Sequence, residues 1–402
     1  MSRVEDNLER YKKIILDCID AKSHEFLAIS HEIHSNPELG NKEFFASSLL
    51  VKNLESSGFL VDKNIEGYET AFIAKLKSQK PGPILGFLAE YDALPNLGHA
   101  CGHNIIGTMS IAAAISLSSV INNLGGEIWV FGTPAEEGGE NGAAKTTFVK
   151  NKLFDNVDAC LMLHPHNCTT LTGTTLAVDA LDFEFFGKAA HAAGCPEKGI
   201  NALDGIIQLY NSINALRQHL TTDVKIHGII THGGDAPNII PEYAKARFFV
   251  RAATSSTCSE VTKKVKKIAE GSAMATGTSV KITEFQNHLD EMLILQSFDN
   301  IFKEIVESLG EKVDTSITHG IGSTDAGNVS QVVPTIHPHI KICNSSIVPH
   351  TKEFTDAAKS TFADNSLLAG AKALALTALT LLTDREKLNS IKEEFNFKKH
   401  IR

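Results

Sequence analysis

The sequence predicts an α/β protein of two domains, the first with a mostly parallel central sheet and the second with a βαββαβ order of elements. Three apolar runs that each turn polar predict buried parallel strands: PILGFLAEYDALP (83–95), EIWVFGTPAEEGG (127–139) and ACLMLHPHN (159–167). Helical stretches at about 103–121 and 142–154 lie between them. This alternation implies parallel strands that are joined by right-handed crossovers.

A second domain is predicted where this alternation stops, near residue 180. LDFEFFGKAAHAA alternates as a half-exposed strand does, and a helix follows at about 201–220. The remaining elements are strands near 224–231 and 243–252, a helix at about 256–274 and the strand SVKITEF. Their order, βαββαβ, is that of a ferredoxin-like domain.

The chain is predicted to return to the first domain after this insertion. A helix near 298–309, the apolar run QVVPTIHPHIKI and a long helix at 354–382 follow it. We therefore assign residues 1–180 and 293–402 to a discontinuous first domain and residues 181–292 to the inserted domain.

Composition argues against two classes of partner. The 402 residues are 43% hydrophobic with a formal net charge of -9, and Lys and Arg form no long basic stripe, so no nucleic-acid partner is expected. The two longest apolar stretches, 105–121 and 367–382, are interrupted by polar residues or glycine. We expect them to be buried helices, and no membrane partner is expected.

The N-terminal stretch MSRVEDNLERYKKIILDCID alternates charges and shows no apolar core before a small-residue cleavage site. We therefore expect no secretory signal and a cytoplasmic location. The 7 cysteines are odd in number, scattered and never in a CxxC pair, which argues against a disulfide framework. Most are expected to be small core residues, but Cys101 lies between two histidines in GHACGHN.

Polar residues follow each predicted parallel strand at the point where the strand ends. In open sheets of this kind, ligands bind outside the carboxyl ends of the strands. The side chains that this rule brings together are Asp92, Cys101, His103, Glu136, Glu137 and His164. Cysteine, histidine and carboxylate are the ligand types of metal sites, and a catalytic metal site keeps a position open for water.

Cys101 has three interpretations from the residues alone: a core thiol, a nucleophile paired with a histidine, and a metal thiolate. A nucleophile needs one histidine as its base and an oxyanion hole, which leaves Glu136 and Glu137 without a role. A thiolate uses every residue, because two neighbouring cations need more anionic ligands than imidazoles provide. Consecutive glutamates in a loop point in different directions, so one can bind metal while the other transfers protons.

Several ordered motifs carry a family resemblance. They are ISHEIHSNPELGNKEF, AEYDALP, GHACGHN, TPAEEGGENGA, LHPHN, GKAAHAAGCPEKGINALD, GGDAPNIIPEYAKARFFVRA, GSTDAGNVSQVVPTIHPHIKI and PHTKEF. From about residue 28 to about residue 382 the chain resembles the clan MH metallopeptidases and amidohydrolases. More narrowly, it is similar to the branch that contains aminobenzoyl-glutamate hydrolase, aminoacylase-type N-acyl-amino-acid amidohydrolases and auxin-conjugate hydrolases.

The resemblance implies roles for individual residues. The implied metal ligands are Cys101, His103, Glu137, His164 and His350, with Cys101 between two ions. Glu136 is implied to be the general base that takes a proton from the attacking water, and Asp92 to orient a ligand. His99 is not needed as a ligand, so a structural role is expected for it.

The resemblance further implies a phosphorylase/hydrolase-like catalytic domain with an inserted lid and dimerisation domain. His191 of the GKAAHA motif would polarise the scissile carbonyl, usually in the partner subunit's active site. Asn238 and Arg251 match positions that bind the substrate's carboxylate. A homodimer or a higher homo-oligomer is therefore expected. His319, His337 and His339 either line the pocket or pack between strands.

The expected function is that of a metal-dependent amidohydrolase that cleaves N-acyl amino acids or related conjugates. The expected cofactors are two divalent ions per subunit. The thiolate favours zinc, and the other ligands also suit manganese or cobalt. The alternatives are a dipeptidase or peptidase with the same dinuclear centre, a hydrolase with Cys101 as nucleophile, and an inactive homologue that only binds a ligand.

Overall fold

A computed structural model describes residues 3–316 and 322–401 of the chain. In these residues the helices are α1 (Arg3–Ala21), α2 (Ser23–Ser35), α3 (Phe44–Ser56), α4 (His103–Leu124), α5 (Ala144–Lys150), α6 (Ala202–Arg217), α7 (Ser255–Thr276), α8 (Gln296–Ser308), α9 (Ala326–Ser330), α10 (Lys352–Ala357), α11 (Thr361–Thr383) and α12 (Arg385–Ile401). The strands are β1 (Leu60–Ile65), β2 (Tyr68–Lys77), β3 (Ile84–Ala89), β4 (Glu127–Gly132), β5 (Ala159–Leu161), β6 (His164–His166), β7 (Ala177–Phe186), β8 (Lys225–His232), β9 (Tyr243–Ala252), β10 (Ser279–Glu284), β11 (Thr335–Ile336) and β12 (His339–Lys341).

The chain divides into two compact units. The first comprises residues 1–174 and 292–402, and the second comprises residues 175–291. The sequence placed these boundaries at residues 180 and 292. The first boundary lies earlier than predicted because β7 already begins at Ala177 and pairs along its whole length with β9.

The central sheet of the first unit has the strand order β1-β2-β4-β3-β5-β11. The pairs β3–β4, β3–β5 and β5–β11 are parallel, whereas β1 and β2 form an antiparallel edge. This order confirms the predicted α/β class with a mostly parallel sheet, and the antiparallel edge is an addition that the sequence did not predict. The carboxyl ends of β3, β4 and β5 therefore meet at one edge, as expected.

Two apolar helices lie in the core of this unit: α4 packs on β3 and β4, and α11 packs on α4. Helices α4 and α11 are long and apolar enough to span a membrane, but 89% and 72% of their most apolar windows are buried inside the protein. An all-round apolar helix that is covered by its own protein is a core helix. The long C-terminal helix predicted at 354–382 is in fact two helices, because Ser360 caps a new helix at Thr361 through a bond from the Ala363 amide.

The second unit has the βαββαβ order and the sheet order β10-β7-β9-β8, all antiparallel. This arrangement confirms the predicted ferredoxin-like fold. Alternate residues of β9 are buried, which places one face of the sheet against α6 and α7. Thr254 caps α7, and Gly277 ends it in the left-handed conformation.

Candidate metal centre

The GHACGHN turn brings Cys101 next to His164. Gly102 has a φ of +78°, and a Cβ at this position would lie 2.5 Å from the Pro165 side chain. Only glycine fits such a position without strain. The close approach places the Cys101 Sγ 3.6 Å from the His164 Nε2.

Asp92 connects two parts of the site from the end of β3. Its Oδ1 accepts a hydrogen bond of 2.8 Å from the His103 Nδ1, and its Oδ2 accepts one of 2.9 Å from the Glu137 amide. Burial works to raise the pKa of Asp92, but His103 and the Glu137 amide lower it below its usual value. Asp92 is therefore a carboxylate that fixes the orientation of the His103 ring and of the Glu137 backbone.

His103 and His164 both present Nε2 to the centre of the site. The Asp92 carboxylate holds the His103 Nδ1 proton, and the Pro165 carbonyl accepts from the His164 Nδ1 at 2.7 Å. The His103 Nε2 lies 3.7 Å from Glu90, 3.9 Å from Glu136 and 3.8 Å from Glu137. These gaps are too long for hydrogen bonds.

The spacing of the polar atoms fits divalent cations. The trio Cys101, His103 and His164 and the trio Cys101, Glu137 and His350 each offer ligand atoms within 4.8 Å of one another. Two ligands of one tetrahedral zinc ion are about 3.3 to 3.6 Å apart, given its bond lengths. The two trios share Cys101, which is the arrangement that a bridging thiolate requires.

Several atoms at this centre are buried without a hydrogen-bond partner. They include the His103 Nε2, the Glu137 Oε1 and the Glu90 Oε2. Buried polar atoms are normally paired, so converging unpaired atoms of this kind indicate a site for a cation. The donor set of thiol, imidazole and carboxylate fits zinc, and it also fits manganese or cobalt.

The carboxyls at this centre lie close together and are largely buried, which shifts their pKa values. Burial and the neighbouring Glu90 raise the pKa of Glu136 well above its usual value, and burial also raises the pKa of Glu137. Burial lowers the pKa of His103, but Asp92 and Cys101 raise it well above its usual value. A divalent cation that bound to these atoms would displace those protons, because metal ligands are deprotonated.

Cys101 is not activated as a nucleophile by its surroundings. Burial and the charge of Glu137 raise the pKa of this thiol well above its usual value. Reactive cysteines have the opposite environment, with a lowered pKa. This environment argues against the nucleophile, and the two trios that share Cys101 favour the metal thiolate over a core thiol.

His350 completes the second trio from a loop. Its Nε2 lies 3.7 Å from the Glu137 Oε2, and its side chain is 55% exposed. The residue has a φ of +65°, and its amide donates to the Ala100 carbonyl at 2.8 Å. A left-handed backbone at a non-glycine residue is strained, and this hydrogen bond to the GHACGHN turn holds it in place.

Three charged residues that the sequence analysis did not assign border the centre. Lys145 is fully buried, and its Nζ lies 2.6 Å from the Glu90 Oε1 and 2.6 Å from the Asp325 Oδ1. Glu90 lies in the motif AEYDALP and Asp325 in GSTDAGNVS, so the motifs could have indicated that these two carboxyls belong to the site. Nothing in the local pattern around Lys145 distinguishes it from a solvent-exposed lysine.

The other histidines near the centre have separate roles. His99 is buried next to His34 with ring centroids 6.0 Å apart, and burial lowers its pKa to about 3. His337 is buried 5.5 Å from the His164 ring, and His339 lies opposite His164 in the pairing of β6 with β12. His319 lies outside the described residues.

In the second unit, the structure brings His191 and Asn238 together. The Ala192 amide donates to the Asn238 carbonyl at 3.0 Å, and His191 pairs with Ile239. The motif that carries His191 joins the sheet at the start of β9, where the Gly187 amide donates to the Glu242 carbonyl. Arg251 lies near the other end of β9, far from His191 and Asn238. The eight steps from Tyr243 to Arg251 span about 26 Å at the usual rise of a strand.

Comparisons with known proteins found relatives along most of the chain. Residues 179–275 match the peptidase dimerisation domain family. The chain is 35% identical to the human (Homo sapiens) Xaa-Arg dipeptidase over 97% of this chain and 93% of that protein. It is 32% identical to one of the subunits of the Escherichia coli p-aminobenzoyl-glutamate hydrolase, over 75% of this chain and 66% of that protein.

A solved structure shares the fold. A dinuclear metal-binding peptidase of the M20 family from Bacillus subtilis superimposes with a TM-score of 0.63 at 19% identity, covering 91% of this chain and 99% of that one.

Proposed function

Because the chain belongs to the M20 family of metal-dependent peptidases and amidohydrolases, we propose that it hydrolyses the amide bond between an acyl or aminoacyl group and an amino acid with a free carboxylate. The family membership that the motifs indicated is thus confirmed, and the chain is a hydrolase. The observation that carries the proposal is that unpaired atoms of His103 and Glu137 converge on Cys101. A second carboxyl group, that of Glu136, lies beside them.

We assign the metal ligands that the family resemblance implied. Two divalent ions, zinc in the first place, would be held by Cys101, His103, Glu137, His164 and His350. Bound there, the ions would supply Lewis acidity and lower the pKa of a water molecule. The Asp92 carboxylate keeps the His103 ring in the orientation that directs Nε2 to the ions.

Glu136 is the proposed general base. Its side chain is 11% exposed and lies 3.9 Å from the His103 Nε2, so it borders the centre without being enclosed by it. Burial and the neighbouring Glu90 raise its pKa, which suits a group that takes a proton from water and returns it to the leaving amine. Glu137 is proposed as a ligand because its Oε1 is buried without a partner and its carboxylate lies beside Cys101 and His350, while Asp92 fixes its amide.

His191 is the proposed electrophile for the substrate carbonyl. The Ala193 and Gly194 amides both donate to its Nδ1, at 3.2 and 3.1 Å. This leaves the proton on Nε2, where an exposed ring can donate it to a developing oxyanion. Asn238 and Arg251 are proposed to bind the substrate carboxylate from different subunits, since about 26 Å of β9 lies between their positions within one chain.

We further propose that the chain forms a homodimer in which His191 acts in the partner's active site. The match of residues 179–275 to a dimerisation domain supports this assembly. A cytoplasmic location stays a prediction from the N-terminal sequence.

A dipeptidase is the second candidate for the substrate class. It is supported by the likeness to a human Xaa-Arg dipeptidase along 97% of the chain. Hydrolysis rates for N-acyl amino acids, p-aminobenzoyl-glutamate, Xaa-Arg dipeptides and longer peptides separate the two candidates. The preferred class is the one with the highest kcat/KM.

The variant Glu136→Gln tests the mechanism. We expect two metals per chain to remain bound and kcat to fall by about 10² to 10⁴, since this is what a general base contributes. Glu140→Gln is the matched control, because Glu140 is exposed in the same loop and should leave kcat unchanged. Near-normal kcat in the Glu136 variant would remove the assigned role.

Chelation distinguishes the remaining alternatives. Loss of hydrolysis on chelation and its return with zinc, manganese or cobalt support the metal mechanism. Hydrolysis by a protein shown to be metal-free would instead identify Cys101 as the nucleophile. A metal-loaded protein that cleaves none of the panel would favour the inactive ligand-binding alternative.

A further inference from the structure

The loop between β4 and α5, residues 133–143, carries Glu136 and Glu137 in an unusual backbone conformation. Ala135, Asn141 and Ala143 have positive φ values of +58°, +54° and +65°. An L-residue in the left-handed region costs about 1 to 2 kcal/mol, so such a loop needs outside support to keep its shape. Ala135 directly precedes the two glutamates, and its conformation sets the direction in which they leave the backbone.

Glu43 supplies support at this residue. Glu43 directly precedes α3 in the chain and is fully buried. Its Oε1 accepts a hydrogen bond of 2.9 Å from the Ala135 amide. Its Oε2 accepts one of 2.8 Å from the Thr70 hydroxyl. Burial and the charge of Asp92 raise the pKa of Glu43 to about 7, so placing a carboxyl here has a cost in stability.

The rest of the same segment follows the shape of the loop. A Cβ at Gly40 would lie 2.9 Å from the Ala135 Cβ, so glycine lets the backbone pass close to that residue. The Asn41 side chain donates to the carbonyls of Glu140 and Asn141, at 3.0 and 3.3 Å. Residues 40–43 therefore contact the loop at both of its ends.

We propose that Glu43 is a positioning residue, which fixes the Ala135 peptide in its left-handed conformation and thereby directs Glu136 and Glu137 to the metal centre. The proposal rests on the proposed function for the roles of those two glutamates. It gives a purpose to the PELGNKEF part of the first motif, which the ligand and base assignments leave without one.

The test compares three variants of the full chain. Glu43→Met removes both acceptors at similar length. Glu43→Gln keeps an oxygen for the Ala135 amide, because its amide nitrogen can donate to the Thr70 hydroxyl. Thr70→Val removes the hydroxyl and leaves the bond to Ala135. We expect kcat to fall by about 10- to 100-fold in Glu43→Met alone, with KM little changed, as happens when a group behind a metal ligand is lost.

Cobalt affinity gives a readout that does not depend on turnover. Cobalt is titrated into the metal-free proteins, and its absorption reports the ligands. We expect Glu43→Met to bind one cobalt equivalent about 10- to 100-fold more weakly than the other two variants. If the unmodified protein binds cobalt but hydrolyses nothing, the proposed function fails while the cobalt result still decides the role of Glu43.

Three results would overturn the proposal. They are unchanged cobalt affinity in a folded Glu43→Met protein, an equal loss in Glu43→Gln, and an equal loss in Thr70→Val. If Glu43→Met does not fold, Gly40→Ala replaces it, since the added methyl presses on Ala135 directly. Gly271→Ala is its control, because a Cβ there meets nothing within 4 Å. Cobalt affinity that is equal in these two variants would also overturn the proposal.

Discussion

Replacing Lys145 by methionine should destabilise the first unit by about 4 kcal/mol at neutral pH. Lys145 is fully buried between the Glu90 and Asp325 carboxylates, at 2.6 Å from each, and its amide donates to Asp325 at 3.1 Å. Removing one partner of a buried ion pair costs about 3 to 5 kcal/mol, because a buried charge is left uncompensated. Methionine keeps the length of the side chain, so little of the effect should come from a cavity.

Proton uptake sets an upper bound on this destabilisation. Without the ammonium, one of the two carboxyls can become neutral, which at pH 7 costs about 4 kcal/mol for an ordinary carboxyl pKa near 4. That cost falls by about 1.4 kcal/mol for each unit of lower pH, because the native variant then holds a proton that the unfolded chain does not. The difference between the two proteins should therefore shrink from pH 7 to pH 5.5.

Urea unfolding of the metal-free proteins measures this difference. Trp129 in β4 is the only tryptophan of the chain, so its fluorescence reports the first unit without the second. Lys52→Met is the control, since Lys52 is exposed on α3 and its loss should change the free energy of unfolding by less than about 0.5 kcal/mol. A loss of under about 1 kcal/mol for Lys145→Met, or one that does not vary with pH, would refute the reasoning.

Two further predictions concern other parts of the chain. His288 bonds to Asp179 at 2.7 Å and lies 3.3 Å from Asp290; burial lowers its pKa, but the two carboxylates raise it to about 9. In the unfolded chain the pKa of a histidine is near 6.5, so the protonated His288 stabilises the fold fully below pH 6.5, and this stabilisation is lost as the pH rises towards 9. Its contribution to the free energy of unfolding is on the order of 2 kcal/mol after solvent screening. Thermal unfolding of the protein and of His288→Gln from pH 6 to 9.5 should converge at high pH; parallel curves would contradict it. Gly102→Ala should remove metal binding, because its Cβ would meet Pro165 at 2.5 Å; normal metal content by mass spectrometry would contradict this.

The sequence predicted the site through one local rule. Asp92, Glu136 and His164 each follow an apolar strand, and strand topology alone brought them to one edge of the sheet. Cys101 and His103 came with them because they lie at the end of the connection from β3 to α4. The role of His350 depended on the family resemblance, since its loop carries no periodic pattern and its left-handed backbone is set by the Ala100 carbonyl.

The antiparallel edge of the sheet was not predicted, because the local sequence does not show the direction in which β2 pairs. Strand β2 pairs with β4 across more than fifty residues, and its alternation is obscured because its residues from Tyr68 to Ala74, except Glu69, are all buried. A short continuous apolar run does not tell its own pairing direction. Only the contacts with β4 decide that the strand runs against its neighbour.

Lys145 shows why the charged surroundings of the site were harder to predict than its ligands. A lysine next to alanines and threonines at the start of a helix is normally exposed, and its two partners lie 55 and 180 residues away in the chain. The burial of Lys145 is explained by the number of carboxyls at the centre, which need a positive charge close to them. Glu90, Glu136, Glu137 and Asp325 crowd one end of the sheet, and the Lys145 ammonium, paired with Glu90 and Asp325, offsets part of that negative charge. The positions where local pattern and three-dimensional structure disagree are thus those where the centre concentrates charge, as expected where a fold trades stability for function.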